Sequence, residues 1–235
     1  LTLAGAGGST SYPGVISGTG RLDKTGGATQ VLAGASTFSG GVTVSGGDLR
    51  LANSTGSATG TGSVSVVSGA YLSGIGSADG LVTVASGGRI APGLNTAGFE
   101  SPGTLRLNGG LSISNARFDF DLGSANTVGG GVNDFVTTGS LSFDMGAALV
   151  FHFSGSSLAT GVYYTLIDAS AVTGFGGASV TSTFLGTLAG TYTATYSISE
   201  GNDLQVVFSS AAIPEPASFA ALAGAFGLVA VAGRR

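Results

Sequence analysis

Three short segments recur along the first half of the chain: Val42-Thr43-Val44-Ser45-Gly46-Gly47-Asp48-Leu49, Val64-Ser65-Val66-Val67-Ser68-Gly69-Ala70-Tyr71-Leu72 and Val82-Thr83-Val84-Ala85-Ser86-Gly87-Gly88-Arg89-Ile90. Each reads as a brief alternating strand, a Ser-Gly turn and a second short strand, and successive copies lie 22 and then 18 residues apart. Strands this short cannot bury a face alone. Coils of about 20 residues stacked roughly 4.8 Å apart can, because every strand then pairs with the one below. The pattern predicts a parallel β-solenoid, with Val, Leu and Ile stacked inside and glycine at the corners where the backbone needs positive φ.

From Thr104 onwards the alternating segments lengthen. Leu111-Ser112-Ile113, Phe118-Asp119-Phe120-Asp121-Leu122, Leu141-Ser142-Phe143-Asp144, Leu149-Val150-Phe151-His152-Phe153 and Leu204-Gln205-Val206-Val207-Phe208 have the period of half-buried strands, and the aromatics gather here. These are expected to form the final coils and a C-terminal β cap, since an open last edge would recruit other chains. Val128 to Asn133 reads as a glycine-rich loop, and no soluble helix is expected. The segment Leu1-Thr2-Leu3-Ala4-Gly5 aligns with Gln30-Val31-Leu32-Ala33-Gly34 at an offset of 29, which puts residue 1 inside a repeat. With no initiator Met or secretory signal at the start, more repeats are expected upstream.

The chain ends differently. Ala211-Ala212-Ile213-Pro214-Glu215-Pro216 leads into an uncharged run from Ala217 to Gly233, closed by Arg234-Arg235. As a helix, such a run is about 26 Å long, just enough for a hydrocarbon layer about 30 Å thick. The two arginines favour the cytoplasmic side, so the C-terminus would lie inside and everything before Pro214 outside. The prolines stop the helix from extending backwards and leave Glu215 at the membrane surface. A buried C-terminal helix of a soluble domain would show a polar face, and this run has none.

Composition narrows the function. Only 9% of residues are charged, against about 25% in an ordinary globular domain. Hydrophobic residues reach 43% and the net charge is −4, which does not match disorder. Outside the tail six basic and eleven acidic residues remain, which argues against nucleic acid as a partner. Absence of cysteine fits export. It also removes Cys-His nucleophilic sites, and the single histidine, His152, removes multi-histidine metal sites. Flanked by Phe151 and Phe153, His152 takes the outward position of its strand. No Gly-x-Ser-x-Gly elbow, phosphate loop or dinucleotide fingerprint occurs. No catalytic, metal or cofactor residue is assigned.

Asp119 and Asp121 project to one face of their strand, with Asp134, Asp144 and Asp168 elsewhere in the cap region. Paired carboxylates suit Ca²⁺ or acid-base work on a sugar. A solvated strand face that keeps a β surface soluble is the favoured reading, and no calcium loop motif is present. Arg21 and Lys24 are expected to decorate a loop, and the sequon Asn53-Ser54-Thr55 is read as a chance match in a Ser/Thr-rich chain.

Two resemblances add to this. The stretch from Lys24-Thr25-Gly26 through Leu32-Ala33-Gly34 and Phe38-Ser39-Gly40-Gly41-Val42-Thr43-Val44 resembles the autotransporter-associated β-strand repeat. Gly74-Ile75-Gly76 through Ala91-Pro92-Gly93 to Pro102-Gly103-Thr104-Leu105 is similar to the end of such passengers. The resemblance implies a right-handed β-helix at the cell surface. Where such passengers carry an outer-membrane barrel this sequence has its tail, so self-transport through an attached barrel is the weaker expectation. The tail itself resembles a PEP-CTERM sorting signal. That implies an exosortase as partner, processing at Pro214, Glu215 and Pro216, an inner-membrane helix at 217–233 oriented by Arg234 and Arg235, and a Gram-negative source, often one that makes extracellular polysaccharide.

The expectation is therefore an all-β chain. It has a β-helix region at 1–103, final coils and a cap at 104–210, and a sorting tail at 211–235. The leading function is a non-enzymatic, exported surface or matrix protein that offers hydroxyl-lined faces to polysaccharide. The alternatives are a β-helical polysaccharide lyase or hydrolase, or a fragment whose active part lies upstream.

Overall fold

The computed structural model describes residues 1–93, 101–123, 132–155 and 157–211. The chain winds through short strands that come in pairs. The first four pairs are β1 (Thr2–Ala4) with β2 (Ser9–Tyr12), β3 (Leu22–Thr25) with β4 (Thr29–Leu32), β5 (Val42–Val44) with β6 (Asp48–Leu51), and β7 (Val64–Val66) with β8 (Tyr71–Gly74). A third strand then joins each coil. β9 (Ser77–Ala78) ends the fourth; β10 (Val82–Val84), β11 (Arg89–Pro92) and β12 (Thr104–Leu107) make the fifth; β13 (Leu111–Ile113), β14 (Arg117–Asp121) and β15 (Phe135–Thr138) the sixth. β16 (Leu141–Phe143), β17 (Ala148–Ser154) and β18 (Tyr163–Ala169) follow, then β19 (Val172–Thr173), β20 (Ser179–Phe184), β21 (Tyr192–Ile198) and β22 (Leu204–Ser210).

Strands of equal rank in successive coils stack as parallel ladders. The first sheet runs β1-β3-β5-β7-β10-β13-β16-β19, the second β2-β4-β6-β8-β11-β14-β17-β20, and the third β9-β12-β15-β18-β22-β21. The three repeated segments lie directly on one another, with Val42 registered on Val64 and Val64 on Val82. The predicted parallel solenoid is observed. The only regular helical turns among the described residues are two single 3-10 turns, Phe175–Gly177 and Gly186–Leu188.

Period-two alternation builds the core. In β5, β7 and β10 the two valines are buried and the central Thr or Ser faces out. The row Leu22, Val42, Val64, Val82, Leu111 and Leu141 therefore forms one continuous inner ladder. On the second sheet Leu49, Leu72, Ile90, Phe118 and Phe151 form another.

Coil size changes along the axis. Registered pairs Leu22 and Val42, Val42 and Val64, and Val64 and Val82 correspond to coils of 20, 22 and 18 residues. Val82 and Leu111, Leu111 and Leu141, and Leu141 and Val172 correspond to 29, 30 and 31. A short coil has residues for two strands and turns, with at most the two-residue β9 on its third side. Its third side is held by side chains: the Asn53 amide donates to the carbonyls of Thr55 and Gly56 and to Ser77 Oγ, while its oxygen accepts from the Ser77 N–H at 2.9 Å. Asn53 is buried, so its place in a sequon is incidental to a structural role.

The end of the rod is closed by an antiparallel hairpin. β22 pairs antiparallel with both β18 and β21, which turns the third sheet back over the last coil. Inside, the phenylalanine ladder stops at Ser182, which lies opposite Phe151 in β20. The small serine leaves room for Tyr196 of β21, whose ring sits 5.0 Å from Phe151 and whose hydroxyl is 2.7 Å from Ser182 Oγ. Burial raises the Tyr196 pKa, so the phenol stays neutral.

Two expectations need correction. Leu1 to Gly5 does not occupy the position of Gln30 to Gly34: Thr2 pairs with Asp23, so the segment is a first-sheet strand rather than a second-sheet one. Short Leu- and Ala-bearing strands resemble one another whichever face they serve. Lys24, expected on a loop, lies in β3 and is 1% exposed. Alternation puts it on the same inward side as Leu22, and its ammonium donates to the carbonyls of Thr25, Gly26 and Gly46 at 2.8 to 3.0 Å. Desolvation lowers its pKa, with the Asp48 carboxylate pulling the other way. Arg21 does lie outside, paired with Asp23 at 2.7 Å.

Lys24 thus ties the corners of two successive coils together. Lys24→Met keeps the apolar stem and removes the donor, which is expected to cost about 1.5–3 kcal/mol. Urea denaturation checks this, and an unchanged midpoint would show that the three carbonyls do not depend on the ammonium.

Candidate functional site

The outer face of the second sheet gathers much of the chain's charge. In one row Asp48, Tyr71, Arg89 and Arg117 stack in register. Beside it Arg50 lies on Ser73. Nearer the cap, Asp119 lies on His152 and Asp121 on Ser154. Period two turns these side chains outward, and the coil repeat brings residues 18 to 33 positions apart into contact.

The face is internally paired. Arg50 bonds Asp48 at 3.3 Å, and Asp48 accepts from Ser73 Oγ at 2.7 Å. Burial raises the Asp48 pKa, while the Ser73 hydroxyl and Arg50 hold it down. The Arg89 guanidinium sits 4.7 Å from the Tyr71 ring centroid and donates to its hydroxyl. Arg117 Nε lies 2.6 Å from Asp119 Oδ1, and His152 Nδ1 is 3.7 Å from the same oxygen with no hydrogen bond of its own.

Asp121 is the unusual member. It is 9% exposed; one oxygen accepts from the Ser154 hydroxyl, and Oδ2 has no partner. Desolvation, reinforced by the charge of Asp119, raises its pKa to about 6. It borders a cleft of about 370 Å³ between the sheet face, including Arg117 and Asp119, and the turn at Leu185, Gly186 and Thr187. Behind it Asp134 is buried, accepting from the N–H groups of Gly103 and Asp121 at 2.8 Å, and so fixes the end of β14.

Of the acids singled out in the sequence, the structure brings Asp119, Asp121 and Asp134 together and adds His152. Asp144 lies apart, accepting from Ser114 Oγ at 2.5 Å, and Asp168 belongs to the third sheet. The expectation of a freely solvated strand face is not met, since Asp119 and Asp121 are held by Arg117 and Ser154. No group of three or more metal-type ligands occurs among the described residues, and the guanidinium on Asp119 disfavours a cation there. Arg117, Arg89, Tyr71 and Ser154 were not singled out in the sequence. Their signal is the coil spacing, which is irregular where they lie.

The titrations of this cluster have opposite signs. Asp121 ionises near 3.9 when unfolded and about 6 when folded, so between about pH 4 and 6 the folded state holds an extra proton. Stability from this group falls as pH rises through that window. His152 behaves in reverse. Desolvation, with Arg117 and Arg89, lowers its pKa against the pull of Asp119, so its contribution is lost as pH falls. Asp121→Asn isolates the first effect and is expected to raise the melting temperature more at pH 7.5 than at pH 4.5. Equal shifts at both pH values would show that the carboxylate is not desolvated.

Residues 22–51, from the start of β3 to the end of β6, match the passenger-associated-transport-repeat family. The match is one full coil of this solenoid and the strand pair of the next. The chain is also similar to the adhesin BmaC autotransporter of Brucella suis biovar 1 (strain 1330), at 37% identity over 155 residues. That alignment covers 66% of this chain and 4% of the relative, so the chain spans a small fraction of that protein's length. These comparisons support a passenger-type repeat segment of an exported surface protein.

Pro214, Glu215, Pro216, Arg234, Arg235 and the run 217–233 lie outside the described residues. Among the described residues no helix is long and apolar enough to cross a membrane.

Proposed function

We propose that this chain is a section of a non-catalytic, adhesive rod displayed at or beyond the surface of a Gram-negative cell. The observation that carries the reading is the registry of parallel ladders from Thr2 to Phe184, which makes a stiff spacer. Similarity to an adhesin autotransporter supports the adhesive part. Rows of Thr and Ser on the outer faces, such as Thr43, Ser65, Thr83, Ser112 and Ser142, offer hydroxyls to polysaccharide. On this reading the tail delivers the rod. An exosortase in the inner membrane would process it at Pro214, Glu215 and Pro216, while 217–233 holds it with Arg234 and Arg235 inside.

Two experiments test this. Purified chain is expected to stay on polysaccharide-coated surfaces without releasing reducing or unsaturated sugar ends. Deleting 214–235 in cells is expected to abolish envelope retention; unchanged retention would remove the sorting role.

One observation favours a polysaccharide-active enzyme as second reading: Arg117, Asp119, Asp121 and His152 converge at one cleft, although they are scattered in sequence. Turnover lost in Asp119→Asn or Asp121→Asn would establish it. In a third reading the rod carries an active region located upstream.

A further inference from the structure

We propose that the cleft between Asp119, Asp121 and the Leu185–Thr187 turn binds a neutral sugar unit, a site that rests on the adhesive reading and gives it a specific locus. Asp121 Oδ2 is the first ground. It is a buried acceptor without a donor, on a side chain that lines the cleft. An unpaired buried carboxylate oxygen costs free energy, and a turn of the carboxyl that presents it to the cleft lets a sugar hydroxyl donate to it.

Shape is the second ground. The cleft, at about 370 Å³, falls in the range of small-molecule sites, about 300–1,000 Å³. Pro92 and the exposed Leu185 contribute apolar wall against which the C–H face of a pyranose packs. A pyranose presents an apolar face and a hydroxyl rim, which is the same division as this wall and these carboxylates.

Charge selects among ligands. A uronate would approach both Asp119 and Asp121, and the guanidinium that could receive it, Arg117, is already bonded to Asp119 at 2.6 Å. A neutral hydroxylated ring avoids that repulsion.

The test uses the full chain with cellotetraose, maltotetraose and trigalacturonate as probes, followed by saturation-transfer NMR and calorimetry. Retention on polysaccharide-coated surfaces is measured in parallel. At least one neutral tetrasaccharide is expected to bind, with affinity reduced tenfold or more in Asp121→Asn. Leu185→Glu, on the exposed rim, is expected to do the same, and melting curves of both variants report folding. The site is overturned, with adhesion intact, if the rod is retained on surfaces but either no neutral probe binds or both variants bind as tightly as the parent. Preference for trigalacturonate overturns the selectivity argument and with it the proposal. A chain that neither binds a probe nor is retained overturns the adhesive reading as well.

Discussion

Replacing Phe151 with Ala is expected to cost about 3–5 kcal/mol, because it empties the centre of the largest aromatic cluster in the rod. The Phe151 ring lies 5.0 Å from Phe118 and from Tyr196, 6.0 Å from Phe120 and 6.1 Å from Phe153, and the residue is fully buried. Rigid ladders on either side cannot collapse into the space, so the loss includes a cavity as well as the transfer of the ring. Tyr196 would lose the surface that seats the closing hairpin. Guanidinium denaturation measures the total. Hydrogen exchange is expected to show the largest loss of protection in β17, β20 and β21, since coils in a solenoid depend on their neighbours. Uniform loss across the chain would show that the rod unfolds as one unit.

Gly74→Val is expected to be comparably damaging for a different reason. Gly74 ends β8 with φ of 112°, and a Cβ built there would lie 2.1 Å from the carbonyl oxygen of Leu51 in the coil below. That oxygen already accepts from the N–H groups of Ile75 and Gly76 at 2.9 Å, so it cannot retreat without breaking the corner. Backbone strain for a β-branched residue at positive φ is about 1–3 kcal/mol before any clash is counted. A melting temperature within a few degrees of the parent's would show that the corner can open. Gly69→Ala is the control, since its Cβ would meet nothing within 4 Å although φ is 79°.

Much of the rod is legible in the residues. The Val42, Val64 and Val82 segments share a local pattern, and local pattern suffices when each strand pairs with its own copy one coil away. The cap strands are legible too, because Phe118, Phe120, Phe151 and Phe153 alternate with polar residues. The site is not. Tyr71 meets Arg89 across 18 residues, but Asp119 meets His152 across 33, and no fixed period aligns both. Lys24 shows a second limit. Its alternation with Leu22 points inward, yet a lysine is buried only where acceptors wait, and those acceptors come from corners at Gly26 and Gly46. Leu1 to Gly5 shows a third, since resemblance between short strands says little about which face they serve.

The widening of the coils has a mechanical consequence. Four-residue strands of the second sheet in β4, β6 and β8 give way to seven in β17 and six in β20, and the third sheet grows from two residues in β9 to seven in β18, so at about 3.3 Å per residue two of the three sheets broaden markedly. A broader section resists bending more strongly than a slender one under equal load. Sideways drag on anything held by this molecule would therefore curve its slender end, while the thick end, where the cleft lies, keeps its geometry under tension.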